Sequence, residues 1–179
     1  FGGDEDPSEI LSNFQDALDS SMLGPAMLFG KKKACHQFNR SFTDFWSKWA
    51  QSVYVNLTDA SERLNTKFVP WLVLLSTSQF RPLRQAASMT CFAVLVGLAK
   101  AAGELSSQLE KATKITKNAK TGSGLIDGLT GQLAAVEKTI QHLFSTVYIQ
   151  RFRDVDKDIR RSALDQLATM IQSQPGLFL

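Results

Sequence analysis

The chain has 179 residues, of which 44% are apolar and 21% charged, with few Pro and Gly residues. This composition is typical of a globular domain with a substantial core and excludes an intrinsically disordered chain. The net charge of +3 conceals an asymmetry, because residues 1–30 carry six acidic and no basic residues, whereas residues 31–179 carry all 20 basic residues against 11 acidic ones. A basic body favours a polyanionic partner, although on charge alone a solvated Lys-rich surface is the simpler interpretation.

Several classes of protein are disfavoured by what the sequence contains. Cys35 and Cys91 lie far apart in helical patterns, so they predict neither a disulfide framework nor a zinc site. The longest apolar runs, residues 68–75 and 91–99, are too short to span a bilayer, and no signal peptide precedes them. We therefore expect no cofactor, no metal and no membrane contact. We also expect the protein to be intracellular. Because the chain begins Phe-Gly-Gly without Met and ends in apolar residues, we expect a piece of a longer protein.

Helical spacing of apolar residues organises the first part of the chain. Asp6-Pro7-Ser8-Glu9 predicts a helix start, and Gly24-Pro25 predicts its end. A second helix carries one face rich in aromatic residues, which favours a core stripe over base stacking. That face consists of Phe38, Phe42, Phe45, Trp46, Trp49 and Val53. A third helix is predicted to be capped by Asp59 and kinked by Pro70.

The middle of the chain predicts a central helix that continues into a hairpin. Residues 82–102 are apolar nearly all round, which indicates a buried helix. The pattern then narrows to a seam with alternating spacings of four and three, as in a coiled coil, and the same alternation returns after a Gly-rich turn at residues 120–124. The seam residues are Leu98, Ala102, Leu105, Leu109 and Ala112, then Leu129, Leu133, Val136, Ile140, Leu143 and Val147. Residues 98–147 are therefore predicted to form a long antiparallel helical hairpin.

The stretch 148–167 predicts a tight corner between two helices. Arg151 and Arg153 close one apolar segment, and acidic residues at 154, 156 and 158 open the next. The element Ile159-Arg160 with Ala163 is typical of the second helix of a HEAT repeat, and Leu83-Arg84 with Ala87 repeats it. We predict an all-α, HEAT-repeat-like α-solenoid fragment with a long antiparallel helical hairpin. It comprises an acidic leader with one amphipathic helix (1–30) and a helical domain (31–179) in which the HEAT array starts at 148–179.

Three stretches carry a resemblance to a known family. Residues 76–84 (Ser-Thr-Ser-Gln-Phe-Arg-Pro-Leu-Arg) are similar to a family segment ending Phe-Arg-Pro-Phe-Arg, and residues 147–154 (Val-Tyr-Ile-Gln-Arg-Phe-Arg-Asp) resemble its Val-His-Arg-Tyr-Arg-Asp. Ile159-Arg160 and the closing Phe178-Leu179 follow in register. The family is that of the stromalins (STAG, stromal antigen), which are the HEAT-repeat accessory subunits of cohesin. The resemblance covers roughly residues 38–179 of this chain and is to the N-terminal region of the family. Gln85, Gln150 and Met170 depart from the family pattern.

The resemblance implies a non-enzymatic, nuclear and chromosome-associated protein that helps to load cohesin and to hold sister chromatids together. Implied partners are double-stranded DNA, other cohesin regulators and the cohesin kleisin subunit. The kleisin subunit is expected to bind mainly through regions of the full protein beyond these 179 residues. DNA contact of this kind is made to phosphates, independent of sequence and strongly dependent on salt. The first group of candidate DNA-binding residues lies near the corners: Arg81, Arg84, Arg151, Arg153, Lys157 and Arg161. The second group is Lys31, Lys32 and Lys33 with the hairpin lysines Lys111, Lys114, Lys117 and Lys120.

Other interpretations of these residues stay open at this point. Arg84 and Arg160 occupy the inward HEAT position, where an arginine bonds acidic neighbours, and Arg151 and Arg153 end a helix whose carbonyls they can cap. The rival function is a protein-interaction scaffold that binds acidic peptides, other chromosome proteins or its own leader without touching DNA. An enzyme is not expected, because no nucleophile–base set, metal spacing or phosphate loop can be assembled.

Overall fold

The computed structural model describes residues 6–17, 33–56, 62, 64–116 and 123–178. Apart from the turns at 77–80 and 153–156 and single residues at helix ends, these ranges are helical, and they contain no strand. This confirms the predicted all-α class. The helices are α1 (Pro7–Ala17), α2 (Lys33–Asn56), α3 (Val69–Ser76), α4 (Arg81–Thr116), α5 (Ser123–Leu143), α6 (Ile149–Phe152), α7 (Lys157–Ser173) and α8 (Pro175–Phe178). Two π-helical segments, Leu64–Phe68 and Phe144–Tyr148, lead into α3 and α6. The predicted features at Gly24-Pro25, Asp59 and residues 120–122 lie outside the described residues.

Helix α1 begins where the sequence predicts. Asp6 Oδ1 accepts a hydrogen bond from the Ser8 amide at 3.0 Å, which satisfies one of the free amides of the first turn. Pro7 takes the first helical position, where a missing amide hydrogen costs nothing. Leu11 is buried and α1 packs against α3. At least this part of the acidic leader therefore joins the body of the protein.

The aromatic stripe of α2 is a core ladder, as predicted, with two corrections. Trp46 makes edge contacts with Phe42 and Trp49 and stacks on Phe68 at a centroid distance of 5.4 Å. Phe45, which was predicted to lie on the same face, is 58% exposed, and Phe38, the first residue of the stripe, is 38% exposed. The residues at 38, 42, 46, 49 and 53 follow helical spacing, whereas Phe45 lies about 100° to one side of Trp46 and so turns away from the core.

Irregular backbone marks the position of the predicted kink at Pro70. The π-helical segment Leu64–Phe68 directly precedes α3, and Pro70 lies in the first turn of that helix. A proline cannot donate to the carbonyl four residues earlier and crowds it, so a widened turn at this point relieves both problems. Tyr54 donates to Asn65 Oδ1 at 2.5 Å, and Thr139 Oγ1 lies 3.2 Å from the same oxygen. This polar node ties α2 and α5 to the segment.

Helix α4 is the centre of the structure. It packs against α2, α3, α5 and α7, and residues 91–99 are buried without exception. Its closest approach to α2 is at Gly97, where an added Cβ would lie 2.2 Å from the Ser47 carbonyl oxygen. By length and composition alone, the helix Arg81–Ile115 is able to cross a membrane, although the short apolar runs in the sequence predict no such span. Its most apolar 18-residue window is 83% buried inside the protein, as is usual for a core helix.

The predicted hairpin is formed by the outer half of α4 and by α5, which pack together along the predicted seam. Nine seam residues have buried side chains: Leu98, Ala102, Leu105, Ala112, Leu129, Val136, Ile140, Leu143 and Val147. Leu109 and Leu133 are partly buried against the same core. Because only six residues join the two helices, they run antiparallel. The connection at 117–122, with Lys117 and Lys120, lies outside the described residues.

Candidate nucleic-acid interface

The corner between α6 and α7 is built by acidic residues, as the sequence indicates. Asp156 is the N-cap of α7, and its Oδ1 accepts a hydrogen bond from the Asp158 amide at 2.8 Å. Asp154 Oδ1 makes the equivalent bond to the Asp156 amide, also at 2.8 Å. Two successive carboxylates thus fold the chain through the corner and hold the start of α7.

Asp154 is the hub of the corner. Its Oδ2 lies 3.1 Å from Arg84 Nε and 2.6 Å from Arg151 Nη1, and the side chain is only 1% exposed. Arg84 belongs to the start of α4 and Arg151 to α6, so one buried carboxylate joins two parts of the chain that are distant in sequence. Charge-assisted bonds of this kind are among the stronger hydrogen bonds in proteins.

The two arginines predicted at the inward HEAT position are held by further bonds, although Arg160 is exposed. Arg84 Nη1 donates to the carbonyls of Ser78 (2.9 Å) and Gln79 (3.2 Å), which fixes the turn before α4. Arg160 Nη1 donates to the carbonyls of residues 154 and 155 at 2.6 and 3.0 Å. The expectation that Arg84 bonds an acidic neighbour is confirmed. Arg160 instead bonds backbone carbonyls, and Arg151 bonds a carboxylate rather than capping carbonyls.

Arg81 forms the outer edge of this network. Its guanidinium pairs with the carboxylate of Asp156 and lies 3.5 Å from that of Asp158, while half of the arginine side chain remains exposed. Burial acts to raise the pKa of Asp156, but the hydrogen bond from the Asp158 amide and the charge of Arg81 outweigh it, so that this pKa is lowered from its usual value. The surroundings of Asp156 therefore favour its ionised form.

The two HEAT-like elements meet in space. Ala87 on α4 and Ala163 on α7 are both buried, and the two helices pack against each other. The hydroxyl of Tyr148 donates to the Ala163 carbonyl at 2.9 Å, and burial raises the pKa of Tyr148 to about 12. Met170, where the resemblance expects Trp, is fully buried in the same core.

Three of the predicted cations remain on the outside of the corner, and we call Arg153, Lys157 and Arg161 the outer corner cations. All three are exposed, and none of them forms an ion pair with another residue in the described ranges. Lys157 and Arg161 lie one helical turn apart on α7, so their side chains share a face. Because Asp154 and Asp156 are occupied by Arg84, Arg151 and Arg81, the outer side of the corner keeps an excess of positive charge.

A cleft of about 460 Å³ lies between the turn at residues 77–79 and the corner, and of the outer corner cations Arg153 contributes to its lining. Its lining includes Arg84, Arg151, Arg153 and Asp154. Exposed apolar side chains, Ile149 and Val155, also border it. The corner therefore presents a basic surface with an apolar margin.

The second predicted basic group is remote from the corner. Lys111 and Lys114 are exposed on the outer half of α4, about 40 Å along that helix from Arg84 at 1.5 Å per residue. Lys31, Lys32, Lys117 and Lys120 lie outside the described residues, as does the side chain of Lys33. The structure thus brings the corner residues together and leaves the described hairpin lysines apart from them. In the part of the chain that is described, no three His, Cys, Asp or Glu residues are grouped as a metal site.

The central role of Asp154 and the hydrogen bond of Tyr148 were not predicted from the sequence. The run of acidic residues at 154, 156 and 158 indicates helix capping but does not reveal which carboxylate is buried. The neighbouring arginines at 151 and 153 were the available signal, because a buried carboxylate needs a cationic partner.

Comparison with known proteins gives one consistent relationship. The model of the STAG domain family matches residues 26–139. Cohesin subunit psc3 of Schizosaccharomyces pombe is 23% identical over 182 residues, and Sister-chromatid cohesion protein 3 of Arabidopsis thaliana is 26% identical over 159 residues. The alignments cover 96% and 83% of this chain but only 19% and 14% of those proteins, so the chain spans less than a fifth of either relative.

A solved structure shares the fold. Cohesin subunit Scc3 from Z. rouxii superposes with a TM-score of 0.67 at 20% sequence identity, covering 96% of this chain and 22% of that one. The likeness confirms the predicted helical solenoid architecture. Together with the match of the domain model over more than half of the sequence, it supports one conclusion: the chain belongs to the STAG domain family.

Proposed function

We propose that this chain is part of a non-enzymatic cohesin subunit that acts on chromosomes in the nucleus, in sister-chromatid cohesion and cohesin loading. The names of its two relatives, a cohesin subunit and a sister-chromatid cohesion protein, support this role. We further propose that this part of the subunit contacts double-stranded DNA. The kleisin subunit is expected to bind mainly through regions beyond this stretch.

The observation that carries the DNA proposal is the division of the corner into used and unused cations. Arg84 and Arg151, with side chains 12% and 15% exposed, already neutralise Asp154. The outer corner cations are exposed and have no such partner in the described ranges. DNA presents a dense row of phosphates, and exposed Lys and Arg side chains bind them by releasing condensed counterions. The outer corner cations are therefore the proposed phosphate ligands.

The remaining predicted residues take other places in this proposal. Arg84 and Arg151 position the corner through Asp154, and Arg81 lies between the two groups because half of its side chain is exposed. Lys111 and Lys114 form a separate, weaker candidate group on the hairpin. Contacts from Lys and Arg to phosphates carry no sequence information, so binding is proposed to be non-specific.

The test is fluorescence anisotropy of the 179-residue chain with a short DNA duplex at low salt. The variant Arg153→Glu/Lys157→Glu/Arg161→Glu is expected to lose most of its affinity. The matched control is Lys48→Glu/Lys67→Glu/Lys100→Glu, which changes the net charge equally at exposed positions away from the corner. The proposal fails if both variants lose affinity equally while circular dichroism shows both to be folded.

A protein-interaction scaffold is the second candidate function. It is favoured by the exposed apolar side chains at the corner, since Val155 is 89% and Phe152 is 40% exposed beside the cations. Such a mixed surface suits an acidic peptide with apolar anchors. DNA affinity that is insensitive to the outer corner cations, combined with peptide binding that depends on Phe152, would favour the scaffold.

A further inference from the structure

The outer end of the hairpin exposes two large apolar side chains. Ile115 on α4 is 69% exposed, and Leu125 on α5 is 64% exposed. Each directly precedes a position of the hairpin seam. On α4 the seam continues from Ala112 to residue 116, which follows Ile115. On α5 it begins at Ile126, which follows Leu125 and packs against the core. The two side chains therefore have equivalent positions on their helices.

Equivalent positions on the two helices lie on the same side of the hairpin. Two antiparallel helices are related by a two-fold axis that is perpendicular to the plane containing both helices. Rotation about this axis exchanges the helices but keeps each side of the pair in place, so residues that directly precede the seam lie on the same side on both helices. The base of the hairpin agrees with this geometry. Glu104, which precedes Leu105, accepts a hydrogen bond from Gln51 of α2 at 3.2 Å. Thr139, which precedes Ile140, lies 3.2 Å from Asn65, the partner of Tyr54 of α2.

Helix α2 covers this side only at the base. Further out, most residues that precede the seam are exposed, and we call these the open face: Lys111, Ile115, Leu125, Gly128 and Ala135. Gln108 and Gln132, which precede Leu109 and Leu133, are half-buried between them. From Leu125 to Thr139 the face extends about 21 Å along α5, which is the length of a helix of four turns. At its inner end a cleft of about 360 Å³ is lined by Val69, Ala135 and Thr139, with Glu62, Lys138 and His142 among its polar neighbours.

Glycines occur on both halves of this side, but they are used differently. At the base, α2 lies so close to Gly97 that an added Cβ would come within 2.2 Å of a backbone oxygen. On the open face, a Cβ added at Gly128 or at its neighbour Gly131 would meet no atom within 4 Å. The covered half shows how a helix packs against this side, and the open half offers the same close approach.

The charges of the outer half of the hairpin, beyond Glu104 at the base, are divided between its two sides. Lys111 belongs to the open face, and Lys114 follows it by three residues on the exposed surface of α4. The acidic residues Glu110, Asp127 and Glu137 each directly follow a seam position, which places them on the opposite side. An occupant of the open face therefore meets apolar side chains bordered by lysines.

We propose that the open face binds an acidic amphipathic α-helix of a partner protein, about four turns long. Its apolar stripe packs on Ile115, Leu125 and the flat surface at Gly128, and its carboxylates lie beside Lys111 and Lys114. One apolar side chain at its inner end enters the cleft next to Ala135. This mode is the groove binding that amphipathic helices commonly use. It does not involve the outer corner cations, although it uses Lys111 and Lys114, the weaker DNA candidates on the hairpin.

The test uses a synthetic helical peptide of 16 residues, with Leu at helical spacing and Glu on both flanks of the stripe. Anisotropy with the 179-residue chain is expected to show binding about tenfold tighter than that of a scrambled peptide of the same composition, a difference of 1.4 kcal/mol. A twin peptide with Lys in place of Glu is expected not to bind. Tighter binding of the Lys twin, or equal binding of the scrambled peptide, would overturn the proposal.

Variants locate the binding on the protein. Gly128→Arg fills the open face and is expected to abolish binding, and Ile115→Ser/Leu125→Ser is expected to weaken it. Gly176→Arg is the matched control, because a Cβ added there also meets no atom within 4 Å. The proposal is wrong if Gly128→Arg binds the peptide like the control with its helical content intact, or if both variants lose binding equally.

Discussion

Arg151 and Arg153 are two residues apart in one motif, yet they have opposite roles. Arg151 is largely buried and bonds Asp154 at 2.6 Å, whereas Arg153 is exposed and pairs with no acidic residue in the described ranges. The difference arises because the corner turns the chain between them, placing one guanidinium inside the contact with α4 and the other outside. An arginine in a basic motif is thus available to a phosphate only where the fold has left it without a carboxylate.

Two glycines, Gly97 and Gly128, show the same contrast between a covered and an open position, although neither is charged. Gly97 is required by the close approach of α2, whereas Gly128 occupies the same side of the hairpin with open space around it. In both comparisons, the same type of residue makes packing or polar contacts that stabilise the fold at the covered position and makes no such contact, within the described part of the chain, at the open position. Substitutions at covered and open positions test that distinction, beginning with the largest expected effect.

Loss of the buried carboxylate at the corner is expected to be the most damaging change. Asp154→Ala leaves Arg84 and Arg151 without their shared partner, and removing one member of a buried ion pair costs about 3–5 kcal/mol of unfolding free energy. Urea unfolding followed by circular dichroism measures it. The matched control is Asp165→Ala, at an exposed position of α7, which should change stability by less than about 0.5 kcal/mol. Similar values for both variants would remove Asp154 from its central role.

The glycine pair predicts changes of opposite sign. Gly97→Ala forces α2 away from α4 and is expected to cost about 1–3 kcal/mol, as overpacking usually does. Gly128→Ala adds a methyl group in open space and removes the flexibility of a helical glycine, so it is expected to stabilise the protein by about 0.5–1 kcal/mol. Thermal unfolding of the two variants side by side distinguishes them. A stabilised Gly97→Ala would contradict the close packing of α2.

The N-cap of α7 predicts a smaller effect with a defined pH dependence. Asp156→Ala removes the cap and is expected to cost about 1 kcal/mol. Because the pKa of Asp156 is lower in the folded protein than in the unfolded chain, its ionised form stabilises the fold fully above the unfolded pKa of about 3.9. This contribution is lost as the pH falls below that value and through the lower pKa of the folded protein.

Asp156→Asn separates charge from capping, since Asn is also a good N-cap. Its stability relative to the wild type should be lowest near neutral pH and should approach the wild-type value at a pH below about 4. A stability difference that is independent of pH would show that Arg81 and the α7 amides do not hold the ionised form of Asp156.

Much of the architecture could be predicted because it depends on local pattern. Apolar spacing predicted the central helix and the hairpin seam, and the Asp6-Pro7 and Asp156 signals marked two helix starts. The same patterns could not reveal which charged residues are buried, because Arg84 and Asp154 are 70 residues apart and meet only through packing of α4 on the corner. Phe45 was misplaced for a related reason: the exact edge of a buried helix face depends on its neighbours.

The most direct test of the central claim is the salt dependence of DNA binding. Removing one contact to a DNA phosphate reduces the slope of log K against log salt by about 0.9. For Arg153→Ala/Lys157→Ala/Arg161→Ala we predict a slope shallower than that of the wild type by between one and three such steps, and for Lys48→Ala/Lys67→Ala/Lys100→Ala an unchanged slope. Equal slopes for the wild type and the corner variant would contradict the assignment of the outer corner cations to DNA.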